Sequence, residues 1–156
     1  MKVVILRGVS GSGKSTFRRK NHPEALVCSA DSFFYDKDGE YHFDANLLSE
    51  AHRSCFAKFL LLLQANHDSD ATVVVDNTNT TTAEISPYYM AAQVYSVPVE
   101  IVTLICRNEI AAKRNKHGVP LHAIRNMRNR FETLPVYWPR ERIVRTDEAK
   151  ESFYNL

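Results

Sequence analysis

Short apolar runs alternating with helical patterns predict an α/β fold, a parallel sheet covered on both faces by helices. Three observations carry that expectation. Lys2 to Arg7 is a β-branched apolar run that ends in a glycine-rich turn, as a buried strand does. Thr72 to Val75 repeats the pattern and ends at Asp76. Between them Leu48, Ala51, Cys55, Phe59 and Leu62 share one helical face, while Glu50, Arg53 and Lys58 point elsewhere.

The remaining elements follow in order. A helix is expected from about Lys14, after the glycine-rich turn, and Ala25 to Ser29 reads as a second short strand. Asp31 to Phe43 is polar, aromatic and aperiodic, and reads as a loop. Asp44 can cap the long helix, which is expected to reach about Ala65, with His67 to Asp70 closing it. Thr81 and Glu84 have capping-box spacing, and Ser86-Pro87 offers a second helix start; either gives a helix to about Tyr95. Val99 to Cys106 is another expected strand. Two helical stretches, about Asn108 to Lys116 and Leu121 to Leu134, flank Gly118-Val119-Pro120. Arg142 to Val144 is a candidate last strand, and Asp147 a candidate cap for a short terminal helix. No repeat, low-complexity tract or linker interrupts residues 1–156, which are expected to form one domain.

Composition narrows the class. A net charge of +2 over 156 residues does not by itself announce a polyanion partner, so nucleic-acid binding must come from local clustering. Cys28, Cys55 and Cys106 are far apart, with no Cys-x-x-Cys spacing, which argues against a zinc site or a disulfide framework and suits a reducing compartment. The first apolar run stops at Arg7, so no signal peptide is expected. Phe59 to Leu63, the longest apolar stretch, is far below membrane-spanning length. A cytoplasmic protein without membrane partners is expected.

Gly8-Val9-Ser10-Gly11-Ser12-Gly13-Lys14-Ser15 is a full Walker A pattern, set between a predicted strand and a predicted helix. Its glycines let successive backbone N–H groups curl around a phosphate, and the helix N-terminus adds positive potential. Lys14 reaches the β and γ phosphates of ATP, the Ser15 hydroxyl is a Mg2+ ligand, and Thr16 follows within the same nucleotide-binding stretch.

Two carboxylates fall where a parallel sheet gathers its chemistry, past the C-terminal ends of strands. Asp31 follows the second strand and can accept a proton from an attacking hydroxyl. Asp76 ends the Thr72 strand and resembles a Walker B carboxylate that orders magnesium or its waters; the two roles can also be exchanged between them. Asp36, Asp38 and Asp44 match no calcium-loop spacing and read as solvated loop charges.

From Arg107 to Arg145 basic residues outnumber the acidic ones, Glu109, Glu132 and Glu141. Arg107 follows directly on a strand and is a candidate nucleotide contact. Arg114, Lys116 and His117 approach Gly118-Val119-Pro120, a hinge-like turn that suits a lid (about 107–131) closing over ATP. Cations there can neutralise charge spreading over a transferring phosphoryl group. Arg140, Arg142 and Arg145 read as solvated. His52, at the border of the apolar stripe, is either packed or a substrate contact.

With these residues assembled, the sequence resembles the P-loop polynucleotide 5′-hydroxyl kinases and their small AAA-type relatives. The likeness rests on Gly8 to Thr16, Ala30-Asp31, Asp76-Asn77-Thr78-Asn79, and Lys113-Arg114-Asn115 through Gly118-Val119-Pro120. It implies a P-loop kinase-type three-layer α/β/α domain with a mostly parallel five-stranded sheet and a helical lid. By that resemblance Asp31 would be the general base, Lys14 and Ser15 would bind phosphate and magnesium, and Arg114 would belong to the lid. The phage member carries an Arg shortly after its base to hold the substrate phosphate; here Phe33, Phe34 and Tyr35 stand instead. The chain ends before any phosphatase domain, so 3′-phosphatase activity is not expected.

The reaction expected is transfer of the ATP γ-phosphate to a hydroxyl, first of all the 5′ end of a polynucleotide. A nucleoside, a sugar or a hydroxymethyl group on a DNA base is the alternative acceptor, and a nucleotide switch without transfer is a third reading. Phe33, Phe34, Tyr35 and Tyr41 either stack on bases or pack their own loop.

Overall fold

An unbroken apolar run must be covered on both faces. The computed structural model, which describes residues 1–147 and 153–154, accordingly places β1 (Lys2–Arg7) inside the sheet with every residue after Lys2 buried. Parallel neighbours flank it, β3 (Thr72–Asp76) and β4 (Val99–Ile105). β2 (Leu26–Cys28) extends the sheet beyond β3 and β5 (Glu141–Arg145) beyond β4, both parallel. A two-residue strand, β6 (Phe153–Tyr154), runs antiparallel along β5, giving the order β2-β3-β1-β4-β5-β6. The expected five parallel strands are present. The terminal helix expected after Asp147 falls largely outside the described residues, and Phe153–Tyr154 are strand.

Side chains alternate across the strands and build two layers. Val3, Ile5, Val73, Val75 and Ile101 face α2 (Leu48–Asn66) and α3 (Thr82–Val94), where Cys55, Phe59, Leu63, Ile85 and Tyr88 complete one core. Val4, Leu6, Val74, Val102, Leu104 and Val144 face α1 (Lys14–Asn21) through Phe17. Full burial of a side chain such as Phe59 contributes roughly 1.5–3 kcal/mol. The stripe on α2 runs Ala51-Cys55-Phe59-Leu63, so Leu48 stays exposed and Leu62 only half-buried, contrary to expectation. A third cluster joins Val9 to Cys106, Ala111 and Ile124 beneath α4 (Asn108–Arg114) and α5 (Leu121–Asn129).

Helix ends show which local signals prevailed. Thr81 and Glu84 form the capping box and start α3, leaving Pro87 inside the helix. Asp44 caps a 3-10 turn, Ala45–Leu47, that leads into α2. Another 3-10 turn, Ala30–Phe34, opens the stretch expected as loop. α4 stops at Arg114, because Asn115 turns extended, and α5 stops at Asn129, before the residues that pack toward Arg7. Among the described residues no helix is long and apolar enough to cross a membrane.

Candidate active site

The turn after β1 is shaped by glycine where no other residue fits. Gly11 and Gly13 have φ of 77° and 97°, and a Cβ on Gly11 would collide with the Ala111 carbonyl of α4. Lys14 folds over this cradle, its Nζ 2.9 Å from the Gly8 carbonyl and 3.1 Å from that of Val9. The residue keeps some exposed surface, yet burial of the ammonium draws its pKa below the ordinary value, while Asp76 and Asp31 push it back up. A buried cation facing two carboxylates, over a loop held open by glycines, fits a polyphosphate. The buried Ser12 hydroxyl accepts and donates no hydrogen bond among the described residues.

Asp76, at the end of β3, is nearly buried. It accepts the Ser15 hydroxyl at 3.1 Å, and Arg18 Nε lies 3.6 Å away. Hydroxyl and carboxylate are hard oxygen donors side by side, and they fit Mg2+, which takes few protein ligands and completes its shell with phosphate and water. Among the described residues no cluster of three His, Cys, Asp or Glu exists, so a fully proteinaceous metal cage is not built here.

Asp31 stands on the 3-10 turn past β2, its side chain 56% exposed. The adjacent Ala30 N–H donates to Asn77 Oδ1 at 2.8 Å, and the Asn77 amide in turn reaches Cys55 and Tyr88. Asn79, at φ 48°, donates to the Leu6 carbonyl. The Asp76-Asn77-Thr78-Asn79 run therefore sets Asp76 in the site and spends its asparagines fastening the Asp31 turn and the end of β1.

All three groups open on one cleft of about 1770 Å³. Ser10, Gly11, Gly13, Lys14, Ser15 and Thr16 line its nucleotide end, while Gly8 and Ser12 lie behind the wall. Asp31, Tyr35, Tyr41, His52, Arg53 and Phe56 line the other end, so His52 faces the cleft. Arg114, Lys116 and His117 line the cleft from the end of α4 and the turn after it, and Arg114 Nη1 donates to the Thr146 carbonyl. Arg107 is outside this lining: its backbone N–H donates to Asp147, whose carboxylate also lies 3.7 Å from its Nε. The aromatic loop divides, with Phe34 buried in the core and Phe33 packed against it, while Tyr35 and Tyr41 face the cleft. Asp36 accepts from the Asp38 and Glu40 amides and pairs with His42, and so serves its own loop.

One residue that shapes the site was not expected. Arg7 is buried, and its guanidinium donates to the carbonyls of Asn79, Thr80 and Glu132 and to Glu141 Oε1, with Phe131 stacked 4.8 Å from it. It joins β1, β5, the loop after β3 and the chain leaving α5.

The AAA domain model matches residues 3–134. The chain belongs to the AAA domain family. The chain is 32% identical over 146 residues to NEDD4-binding protein 2 of Homo sapiens and 27% identical over 158 residues to YLP motif-containing protein 1 of Homo sapiens, alignments that cover 86% and 85% of this chain. It spans only 8% and 7% of those proteins. A gluconokinase from Sinorhizobium meliloti 1021 superimposes with TM-score 0.61 at 18% identity, covering 92% of this chain and 82% of that one. The Mycobacterium tuberculosis APS kinase CysC, in complex with AMPPNP and APS, gives 0.58 at 18%, covering 95% and 90%. The Pnkp1/Rnl/Hen1 RNA repair complex gives 0.58 at 19%, covering 83% and 43%. The AAA domain described here thus has the P-loop kinase fold.

Proposed function

We propose that this chain transfers the γ-phosphate of ATP to a hydroxyl, and that the hydroxyl is the 5′ end of a polynucleotide. The observation that carries the reading is one cleft with the Lys14 cradle and the Ser15–Asp76 pair at one end and an exposed Asp31 at the other. Lys14 and the loop N–H groups hold the β and γ phosphates; Ser15 and Asp76 hold Mg2+, which supplies charge neutralisation on the phosphates. Asp31 takes the proton of the acceptor hydroxyl as its oxygen bonds to the γ-phosphorus and ADP leaves. Arg114 brings positive charge from the lid toward the transferring group.

The polynucleotide is supported by the acceptor end. Arg53 and Lys116 line the cleft with no carboxylate paired to either among the described residues, and Tyr35 and Tyr41 offer ring faces. Those cations can take the backbone phosphates that an Arg after Asp31 would otherwise hold. The burial of Phe34 and the packing of Phe33 against the core favour a second reading, a small-molecule acceptor needing fewer rings.

A panel with ATP labelled at the γ-phosphate decides between them. Oligoribonucleotides and oligodeoxyribonucleotides ending in a 5′-hydroxyl become labelled, and the same strands carrying a 5′-phosphate do not. Label appearing only on nucleosides or sugars establishes the second reading, and ATP binding without transfer to any acceptor establishes a switch.

A further inference from the structure

We propose that His117 is a positioning residue for Asp31: the lid turn delivers its Nε2–H to Asp31 Oδ2, so that the base gains a second orienting partner, beside Tyr41, when the lid lies over the acceptor. This rests on the kinase reading above and adds a role that neither the phosphate loop nor Arg114 supplies.

The need comes from Asp31 itself. Its side chain is more than half exposed on a five-residue 3-10 turn, and Asn77 fixes the neighbouring backbone rather than the carboxylate. A free carboxylate rotor wastes most of its orientations, and a general base must meet the hydroxyl proton at hydrogen-bond distance. Two side chains approach it. Tyr41 does so from its own loop, held by its bridge to Tyr35 and its edge contact with Phe34. Burial first, and then the Asp31 carboxylate, push the Tyr41 phenol up to about 12, so it remains a protonated donor at neutral pH.

His117 is the second, and it arrives from a different part of the chain. Its Nε2 is 3.7 Å from Asp31 Oδ2, and its ring lies 4.1 Å from that of Tyr41 at an interplanar angle of 33°. The presentation is built. Asn115 staples the turn, its amide donating to the Ala112 and Val119 carbonyls and its Oδ1 accepting from Val119 N–H, and Gly118 follows His117 with φ 66°. A movement of about 1 Å brings Nε2 to ordinary hydrogen-bond distance. An ionised carboxylate has about four lone-pair positions, so Oδ2 can receive this N–H and the group still accept the hydroxyl proton. The role requires the tautomer protonated at Nε2. Arg114, three residues before His117 at the end of α4, lines the same cleft, so one lid movement would bring charge to the phosphate and orientation to the base.

The test separates a polar role from ring packing. His117→Phe keeps a ring against Tyr41 and loses the donor; His117→Gln keeps a donor amide at similar reach and loses the ring. Steady-state kinetics are measured with whichever acceptor the labelling panel identifies, for each variant alone and combined with Asp31→Asn. The expected result is a fall in kcat of roughly 10- to 100-fold for His117→Phe, the worth of a hydrogen bond to a charged group, with unchanged KM for ATP. His117→Gln restores most of that loss, and in the Asp31→Asn background His117→Phe costs nothing further. Wild-type kcat in His117→Phe, an equal loss in His117→Gln, or a full loss on top of Asp31→Asn would each overturn the proposal. NMR of the Tyr41 ring, assigned with Tyr41→Phe, reads the contact without catalysis. His117→Ala moves those resonances if the latch exists, and unmoved resonances overturn it. Moved resonances with no phosphorylated acceptor overturn the kinase reading instead.

Discussion

Asp31 and Asp76 both follow the C-terminal ends of parallel strands, yet their surroundings separate their chemistry. Asp76 is nearly buried, bonded to Ser15 and faced by Arg18, a setting that would suit a share in holding a cation; Asp31 is open to the cleft, a setting that would suit meeting an incoming hydroxyl. Asp31→Asn keeps the size and loses the proton acceptor, so its kcat falls by roughly 10² to 10⁴ while ATP affinity holds. Asp76→Asn instead raises the magnesium requirement, and excess metal partly restores its rate. A magnesium titration of both variants checks this, and rescue of Asp31→Asn alone would exchange the two roles. The Walker A residues were legible because a phosphate cradle admits few residue types at fixed spacing. Arg7 was not: a cation ending an apolar run reads as the place where a strand meets water. Its acceptors lie 72 to 134 residues away, where no local pattern announces them.

At the scale of elements, strands were legible from their apolar runs to within a residue or two, while helix ends depended on contacts across the fold. Thr81 and Glu84 start α3 because reciprocal side-chain bonds satisfy its first N–H groups, a signal the sequence carried alongside the rival Ser86-Pro87 start. Thr81→Ala should lower stability by about 1 kcal/mol, read as a reduced denaturation midpoint with an unchanged slope against urea. α5 ended early because Phe131 and Glu132 are taken up by Arg7 and by the start of α3, a tertiary demand invisible in helical periodicity. α4 and α5 sit on Val9 through Ala111 and Ile124, so the phosphate loop and these two helices share a core. In the proposed reaction Arg114, at the end of α4, would act on charge that grows toward the transition state. Arg114→Ala is therefore expected to lower kcat more than it raises KM for ATP, and the reverse pattern in steady-state kinetics would make it a ground-state contact.

Across the whole molecule, parallel strands bring the Gly8 turn, Asp31 and Asp76 to the C-terminal end of the sheet, although they are spread along the first half of the chain. That convergence was legible from strand order and the ends of apolar runs; the division of the aromatic loop was not, because only the packed core shows that Phe34 fills it while Tyr35 does not. A nucleotide bound at this end of the sheet would stabilise the entire fold through linkage, since the unfolded chain has no cradle. At magnesium ATP about 100 times its dissociation constant the gain is about 2.7 kcal/mol, which raises the melting temperature by roughly 5–11 °C for a chain of this size. Asp31→Asn should show the same shift, because the role proposed for its carboxylate is toward the acceptor and not the nucleotide. Lys14→Ala should lose it. The mutant's melting point without nucleotide should not fall through loss of the charge, since burial already disfavours the Lys14 ammonium in the folded state. Thermal melts of the three proteins with and without magnesium ATP carry the test. A full shift in Lys14→Ala would remove Lys14 from the phosphate site, and a vanished shift in Asp31→Asn would place Asp31 on the nucleotide rather than on the acceptor.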